Sequence, residues 1–275
     1  MPSMLYALQS VAYICPRPKT TILSCTNHTS SRGECLRYAI LSDIHGNYDA
    51  LKAVLRALES QKIDAYACLG DIVGYGPQPA ECLHEIQKYA SVVVAGNHDL
   101  AACDKLNICS FNVLAREAIL WTRSRLAEAD LQYLGNLPLQ ERIDLCQLVH
   151  GSLYAPELFD YVQSAYDASL SMARMDTPVC FVGHSHVPIT FLEQETIGYS
   201  LETVIPVLHD QKAIVNVGSV GQPRDKDPRA CYAVYDTEEQ QVTICRTPYD
   251  IDSVVGKMRE AGLPSSLSER LRVGR

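Results

Sequence analysis

No Cys-x-x-Cys pair occurs anywhere in the sequence, although it holds 11 cysteines. An odd count without paired spacing argues against a disulfide framework and points to reduced thiols in a cytoplasmic compartment. Cys68, Cys146, Cys180 and Cys231 sit in apolar runs and read as small core hydrophobes. No apolar stretch approaches the ~18 residues of a spanning helix, so no membrane partner is expected. A cluster of basic residues is missing too: 24 Lys and Arg stand against 32 Asp and Glu, a net charge of −8. A nucleic-acid polymer therefore finds no basic face to bind. A small phosphorylated partner stays open, because bound metal ions supply positive charge locally. There is no internal repeat or low-complexity run, and nothing fixes an oligomeric state.

What is present is 275 residues of ordinary globular composition, 47% hydrophobic and 20% charged, enough for one large α/β domain. Residues 1–36 differ from the rest. They are rich in Ser, Thr, Pro and Cys, hold Glu34 as their one acid, and show no sustained periodicity. Met4 to Cys15 is apolar, but no basic residue precedes it, which argues against a secretory signal. The acid-poor, Ser-rich composition also fits an organellar transit peptide. A disordered N-terminal extension over 1–36 is the expectation, followed by one domain over 37–275.

From Tyr38 the pattern becomes regular. Tyr38–Leu41 reads as a buried strand, and Leu51, Val54, Leu55 and Leu58 then recur at i, i+3, i+4 and i+7, an amphipathic helix. Ala65–Leu69 reads as a strand, Pro79–Tyr89 as a helix and Val92–Ala95 as a third strand. This alternation predicts parallel pairing with helices on the sheet faces. A helical segment over Phe111–Tyr133, with Phe111, Leu114, Ala118 and Trp121 on one stripe, is expected to form a small cap near 100–135. Strands are expected over 145–149, 179–182, 204–209, 213–217, 230–235 and 241–246, enough for a second sheet stacked on the first. A closing helix covers Asp250–Ala261.

Five short blocks follow apolar strand runs: Ser42-Asp43-Ile44-His45-Gly46-Asn47, Gly70-Asp71-Ile72-Val73-Gly74-Tyr75-Gly76-Pro77, Gly96-Asn97-His98-Asp99, Val149-His150-Gly151 and Gly183-His184-Ser185-His186. Loops at strand ends of α/β sheets face a common crevice, so residues distant in sequence converge there. Five of the eight histidines lie in these blocks, while His28, His84 and His209 do not. Imidazole with carboxylate, and no cysteine in any block, suits manganese first, or iron, zinc or nickel, and disfavours a structural zinc site. In Asp43-x-His45 and His184-x-His186, alternate residues of an extended segment are expected to point into the same pocket.

In this order the blocks resemble the calcineurin-like metallophosphoesterase superfamily, whose pattern runs D-x-H, G-D, G-N-H-D/E, H, G-H-x-H. The resemblance spans residues 37 to 273. It implies a metallophosphoesterase fold, a four-layer α/β/β/α sandwich with two mixed sheets. It further implies two divalent ions, one on Asp43, His45, Asp71 and His186, the other on Asp71, Asn97, His150 and His184. The Gly-Asp-Ile-Val-Gly-Tyr-Gly segment lacks the arginine of protein serine/threonine phosphatases. Asp43-Ile44-His45 and Gly74 likewise depart from the purple acid phosphatases. The sequence is most similar in pattern to bacterial and archaeal phosphodiesterases related to predicted diadenosine tetraphosphatases. Their N-x-G-S-V-G-Q-P-R-D stretch appears as Asn216–Asp225.

The activity so implied is hydrolysis of small phosphodiesters or nucleotide-type esters by a hydroxide shared between the two ions. His98 is assigned to binding phosphate and protonating the leaving oxygen, with Asp99 orienting its ring. Asn97 and Arg224 join His98 in binding substrate, since a guanidinium suits bidentate phosphate contacts. The competing reading of Arg224 is a surface residue paired with Asp225 or Asp227. Two rival functions remain: a phosphomonoesterase on the same site, and a non-catalytic scaffold of the same fold. The complete ligand set plus His98 weighs against the scaffold.

Overall fold

The computed structural model describes residues 36–275, so the extension expected over 1–36 lies outside the described residues apart from Leu36. Strand–helix alternation through the first half gives parallel pairing of β1 (Arg37–Leu41), β2 (Ala65–Cys68) and β3 (Ala90–Val93). On the far side of β1 lie β11 (Ala230–Asp236), β12 (Gln241–Thr247) and β9 (Val204–Pro206), each antiparallel to its neighbour. The second sheet has β5 (Cys146–Val149), β6 (Val179–Val182) and β10 (Ala213–Asn216) in parallel. It is flanked antiparallel by β4 (Gln140–Ile143) on one side and by β7 (Ile189–Leu192) and β8 (Gly198–Ser200) on the other.

Alternation along β1 shows how the layers stack. Tyr38 and Ile40 face inward, packing with Phe181, Val215 and Tyr235 between the two sheets. Ala39 and Leu41 face outward beneath α1 (Tyr48–Leu58) and α2 (Pro79–Tyr89), where Leu51, Val54, Leu58, Leu83 and Ile86 cover them. Each of these large side chains is fully buried, worth about 1.5–3 kcal/mol apiece. On the opposite side, α6 (Ala165–Met172) covers Val149, Cys180, Val182 and Ile214 with Ala168 and Met172. Two mixed sheets between helical layers make the sandwich expected from the sequence.

The 111–133 segment differs from its reading. After the short α3 (Asn97–Ala102) it splits into α4 (Val113–Arg123) and α5 (Glu128–Gly135). On α4 the buried face is Ala115, Ala118, Ile119 and Thr122, while Leu114 and Leu120 are exposed. The partner explains the shift. Ala115 and Ala118 meet α7 (Ile251–Glu260) and α8 (Ser265–Leu271), and two helices approach closely where the contact residues are small. Meanwhile Leu134 of α5 joins the core under α1 and α2. Strands β4, β7 and β8 have no counterpart in the sequence reading. Among the described residues, no helix is long and apolar enough to cross a membrane.

Candidate metal centre

The carboxyl ends of β1, β2, β3, β5, β6 and β10 carry the five blocks and the Asn216–Asp225 stretch. Pairing between β1 and β2 runs on past both strands: Asp43 N donates to Gly70 O at 3.0 Å and His45 N to Asp71 O at 2.9 Å. Asn47 then caps α1 by accepting from Ala50 N at 3.1 Å, and donates to Gly221 O at 2.8 Å. The first block is thereby tied to the 216–225 loop.

The two x-separated pairs do not converge as alternate residues of an extended chain. Asp43, His45, Asp71, His184 and His186 have φ of 52°, 50°, 50°, 65° and 61°, all left-handed. Such backbone is uncommon outside glycine and costs on the order of 1–3 kcal/mol per residue. Five of the seven expected ligands are thus turned inward by strain that the surrounding loops hold in place. Close backbone approach does the rest. A Cβ on Gly96 would stand 2.1 Å from Asp71 Oδ1, and one on Gly183 would stand 2.0 Å from Ser42 Oγ.

Three imidazoles have their tautomer set by backbone carbonyls. His45 Nδ1 donates to Val73 O (3.1 Å), His150 Nδ1 to Leu69 O (2.8 Å) and His186 Nδ1 to Gln222 O (2.6 Å). Their Nε2 atoms therefore point at the centre, and those of His45 and His186, which burial keeps neutral, are bare lone pairs. His45 Nε2 and His186 Nε2 lie 3.1 Å apart, as do His150 Nε2 and His184 Nδ1. Asp43 Oδ1 is 3.2 Å from His186 Nε2, and Asp71 Oδ2 is 3.3 Å from His150 Nε2 and 3.6 Å from His45 Nε2. Asp43 Oδ1 and Asn97 Oδ1 are buried with no hydrogen-bond partner. Facing lone pairs and orphaned oxygens repel one another unless cations lie between them, so this donor set fits divalent ions. Among the described residues, three groups of potential ligand atoms are close enough to hold one: Asp43/His45/His186, His45/Asp71/His98 and Asp71/His150/His184.

Without cations, charge in the cluster is settled among its own members. Burial opposes ionisation of Asp43 and Asp71, yet the neighbouring histidines outweigh it and hold both carboxyls below their usual range. Burial likewise pushes His45 down, His98 down to about 4 and His184 down to about 3. For His150 burial is overcome by Asp71 and Asp43, which lift it to about 9.

Asp99 has a different task from the one expected. Its Oδ1 accepts from Ile72 N (2.9 Å) and Val73 N (3.2 Å), and its Oδ2 from Gly96 N (3.1 Å); neither oxygen bonds the His98 ring. As the third residue of α3 it caps that helix and fastens the second block to the third. Asp99→Ala leaves three buried N–H groups without an acceptor, each costing about 1–3 kcal/mol. A thermal melt of the metal-free variant should fall by at least about 6 °C. An unchanged melt would remove this role.

Arg224 is not paired with either neighbouring acid. Asp225 pairs with Arg246 and Asp227 with Arg229, while Arg224 Nη2 donates to Gln222 Oε1 at 2.8 Å. Its guanidinium lies 5.9 Å from the Tyr75 ring and lines a cavity of about 290 Å³ together with Asp71, Asn97, His98, His184 and His186. Phe111, Leu158, Phe159 and Tyr161 add an apolar part to the wall, and the sequence reading named none of them in this role. The aromatic content of residues 154–161, just after the His150 block, is the available signal.

Residues 36–240 match the calcineurin-like phosphoesterase superfamily domain. An uncharacterized protein of Methanocaldococcus jannaschii is 37% identical over 242 residues, covering 86% of this chain and 98% of that one. The crystal structure of a metallophosphoesterase from Sphaerobacter thermophilus superposes with a TM-score of 0.78 at 41% identity, covering 88% of this chain and all of the other. A hypothetical protein from Pyrococcus horikoshii shares the fold, with a TM-score of 0.70 at 22% identity over 87% of this chain and 98% of its own. Sequence match, fold and donor set agree, and the chain belongs to the calcineurin-like phosphoesterase superfamily of metal-dependent phosphoester hydrolases.

Proposed function

We propose that the chain uses two divalent ions, manganese first among them, to hydrolyse small phosphodiesters or nucleotide-type phosphate esters. One observation carries the reading: bare imidazole nitrogens and orphaned carboxylate and amide oxygens cluster beside a cavity of about 290 Å³ that Asp71, Asn97, His184 and His186 line. A space of that size suits a small ester and not a polymer or a membrane surface. In this reading Asp43, His45, Asp71 and His186 hold one ion, and Asp71, Asn97, His150 and His184 the other. Bound there, such ions polarise phosphoryl oxygens and lower the pKa of water toward neutrality. His98 and Arg224 meet the phosphate from the cavity side, Arg224 through its planar fork of donors. Burial keeps the His98 ring neutral in the protein alone, and an anionic phosphate beside it favours the charged ring. The protonated ring then gives its proton to the leaving oxygen.

The test is turnover of bis-p-nitrophenyl phosphate, p-nitrophenyl phosphate and diadenosine tetraphosphate by the purified chain, with Mn²⁺ and after chelation. Cleavage of the diester or dinucleotide that disappears on chelation is expected. A preference for p-nitrophenyl phosphate would make the protein a phosphomonoesterase. Inertness toward all three with metal bound would favour the scaffold.

A further inference from the structure

Hydrolysis alone gives no task to the apolar wall above the ligand cluster. Part of that wall is the turn Pro156–Leu158, closed by Leu158 N donating to Ala155 O at 3.0 Å and Phe159 N to Pro156 O at 3.3 Å. Ala155 and Phe159 are both left-handed, with φ of 52° and 54°, a conformation that persists only where the surroundings enforce it. Phe159 supplies the anchor: it is buried, its ring centroid 6.0 Å from that of His150. Leu158 and Tyr161 stay 63% and 45% exposed while lining the cavity. The strained turn therefore presents apolar surface to the cavity instead of to the core.

Tyr161 is the most directed of these side chains. Its ring stacks on His184, with centroids 4.0 Å apart and planes within 12°. One face is covered by an imidazole of the cluster, and the exposed remainder opens to the cavity. Phe111 lies tilted beside His98, at 5.2 Å between centroids and 48° between planes. Rings already ordered by the protein give up little freedom when a second ring stacks on them, and such stacking tolerates any flat ring. An exposed tyrosine by itself calls for no explanation. One that is stacked on a cluster imidazole, in the same cavity as Arg224, is placed to read the group attached to a bound phosphate.

We infer that Tyr161 determines specificity by stacking on the planar ring of a nucleotide-type phosphate ester whose phosphate lies on the cluster beneath. The inference rests on the phosphoester reading of that cluster. It predicts a preference for ring-bearing esters over aliphatic ones of the same charge.

Calorimetric titration of the Mn²⁺-loaded full chain with adenosine 5′-monophosphate and with ribose 5-phosphate separates ring from phosphate. The wild type should bind the nucleotide about tenfold more tightly. Tyr161→Phe keeps that ratio. Tyr161→Leu abolishes it and leaves ribose 5-phosphate affinity unchanged, which also shows that the variant is folded. With a ring-bearing substrate, the Tyr161→Leu defect should fall on KM and not on kcat. Equal affinities in the wild type, or a preference that survives Tyr161→Leu, would overturn the stacking role alone. If neither ligand binds, this inference falls, and turnover of bis-p-nitrophenyl phosphate decides separately whether the phosphoester reading falls with it.

Discussion

Asp71→Asn should lower phosphoester turnover by at least on the order of 10³-fold and abolish the rise in melting temperature that Mn²⁺ gives the wild type. Asp71 belongs to two of the three potential ligand groups, through an oxygen 3.3 Å from His150 Nε2 and 3.6 Å from His45 Nε2. Its other oxygen accepts from His98 N at 2.8 Å. Asparagine keeps that second contact through its carbonyl and puts an N–H donor where the first oxygen was. That donor faces the bare Nε2 of His45, and the carboxylate charge that lifts His150 is gone. The variant thus loses the carboxylate common to two of the ligand groups and keeps the bond to the third block. Three measurements check it: bound Mn²⁺, turnover, and the melting temperature with and without Mn²⁺. The metal-induced rise in melting temperature should vanish, because a ligand stabilises only the state that binds it. Full metal content with turnover near wild type would sink both the bridging role and the argument for it.

How far the sequence anticipates this centre depends on what kind of information each feature uses. The sandwich is readable because its outer faces are regular: Leu51, Val54, Leu55 and Leu58 announce α1, and the apolar runs of β1, β2 and β6 are bounded by glycine-containing blocks. Strands with little to bury escape. β4 is Gln140-Glu141-Arg142-Ile143, mostly exposed and paired antiparallel to β5, with Ile143 alone touching the core, so no periodicity marks it. The phase of α4 is missed for a related reason, since its burial is set by α7 and α8, about 130 residues further along the chain.

The ligand residue types are readable, but their presentation is not. Extended geometry would explain Asp43 beside His45, and the observed backbone is left-handed at both. Asp and His enter the left-handed region more readily than most side chains, but that preference is too weak to locate it, and the neighbouring loops impose it. Asp99 shows the same limit. A carboxylate beside a catalytic histidine invites an orienting role, whereas Ile72, Val73 and Gly96 present it with three backbone donors that only the folded loops bring together.

His98→Ala should cost about 10²–10⁴-fold in kcat with metal content unchanged, the opposite split from Asp71→Asn. The bond from His98 to Asp71 uses the backbone N–H, so alanine preserves it, and alanine is at home in α3. What disappears is the ring. It sits against Gly74, where a Cβ would come within 2.5 Å of Nδ1, and it is flanked by Tyr75 and Phe111 with centroids at 4.5 and 5.2 Å. Nδ1 is buried there without a partner, so the ring addresses the cavity through Nε2. A group that protonates the leaving oxygen matters most when that oxygen is a strong base. The loss should therefore be largest for a nucleoside or alkyl leaving group and much smaller for p-nitrophenolate, which departs unprotonated. His98→Asn, which can still donate a hydrogen bond to phosphate but cannot deliver a proton, should recover KM and leave the leaving-group dependence unchanged from His98→Ala. If both leaving groups suffer equally and asparagine restores kcat as well, His98 serves to bind phosphate, and the proton reaches the leaving oxygen from another donor.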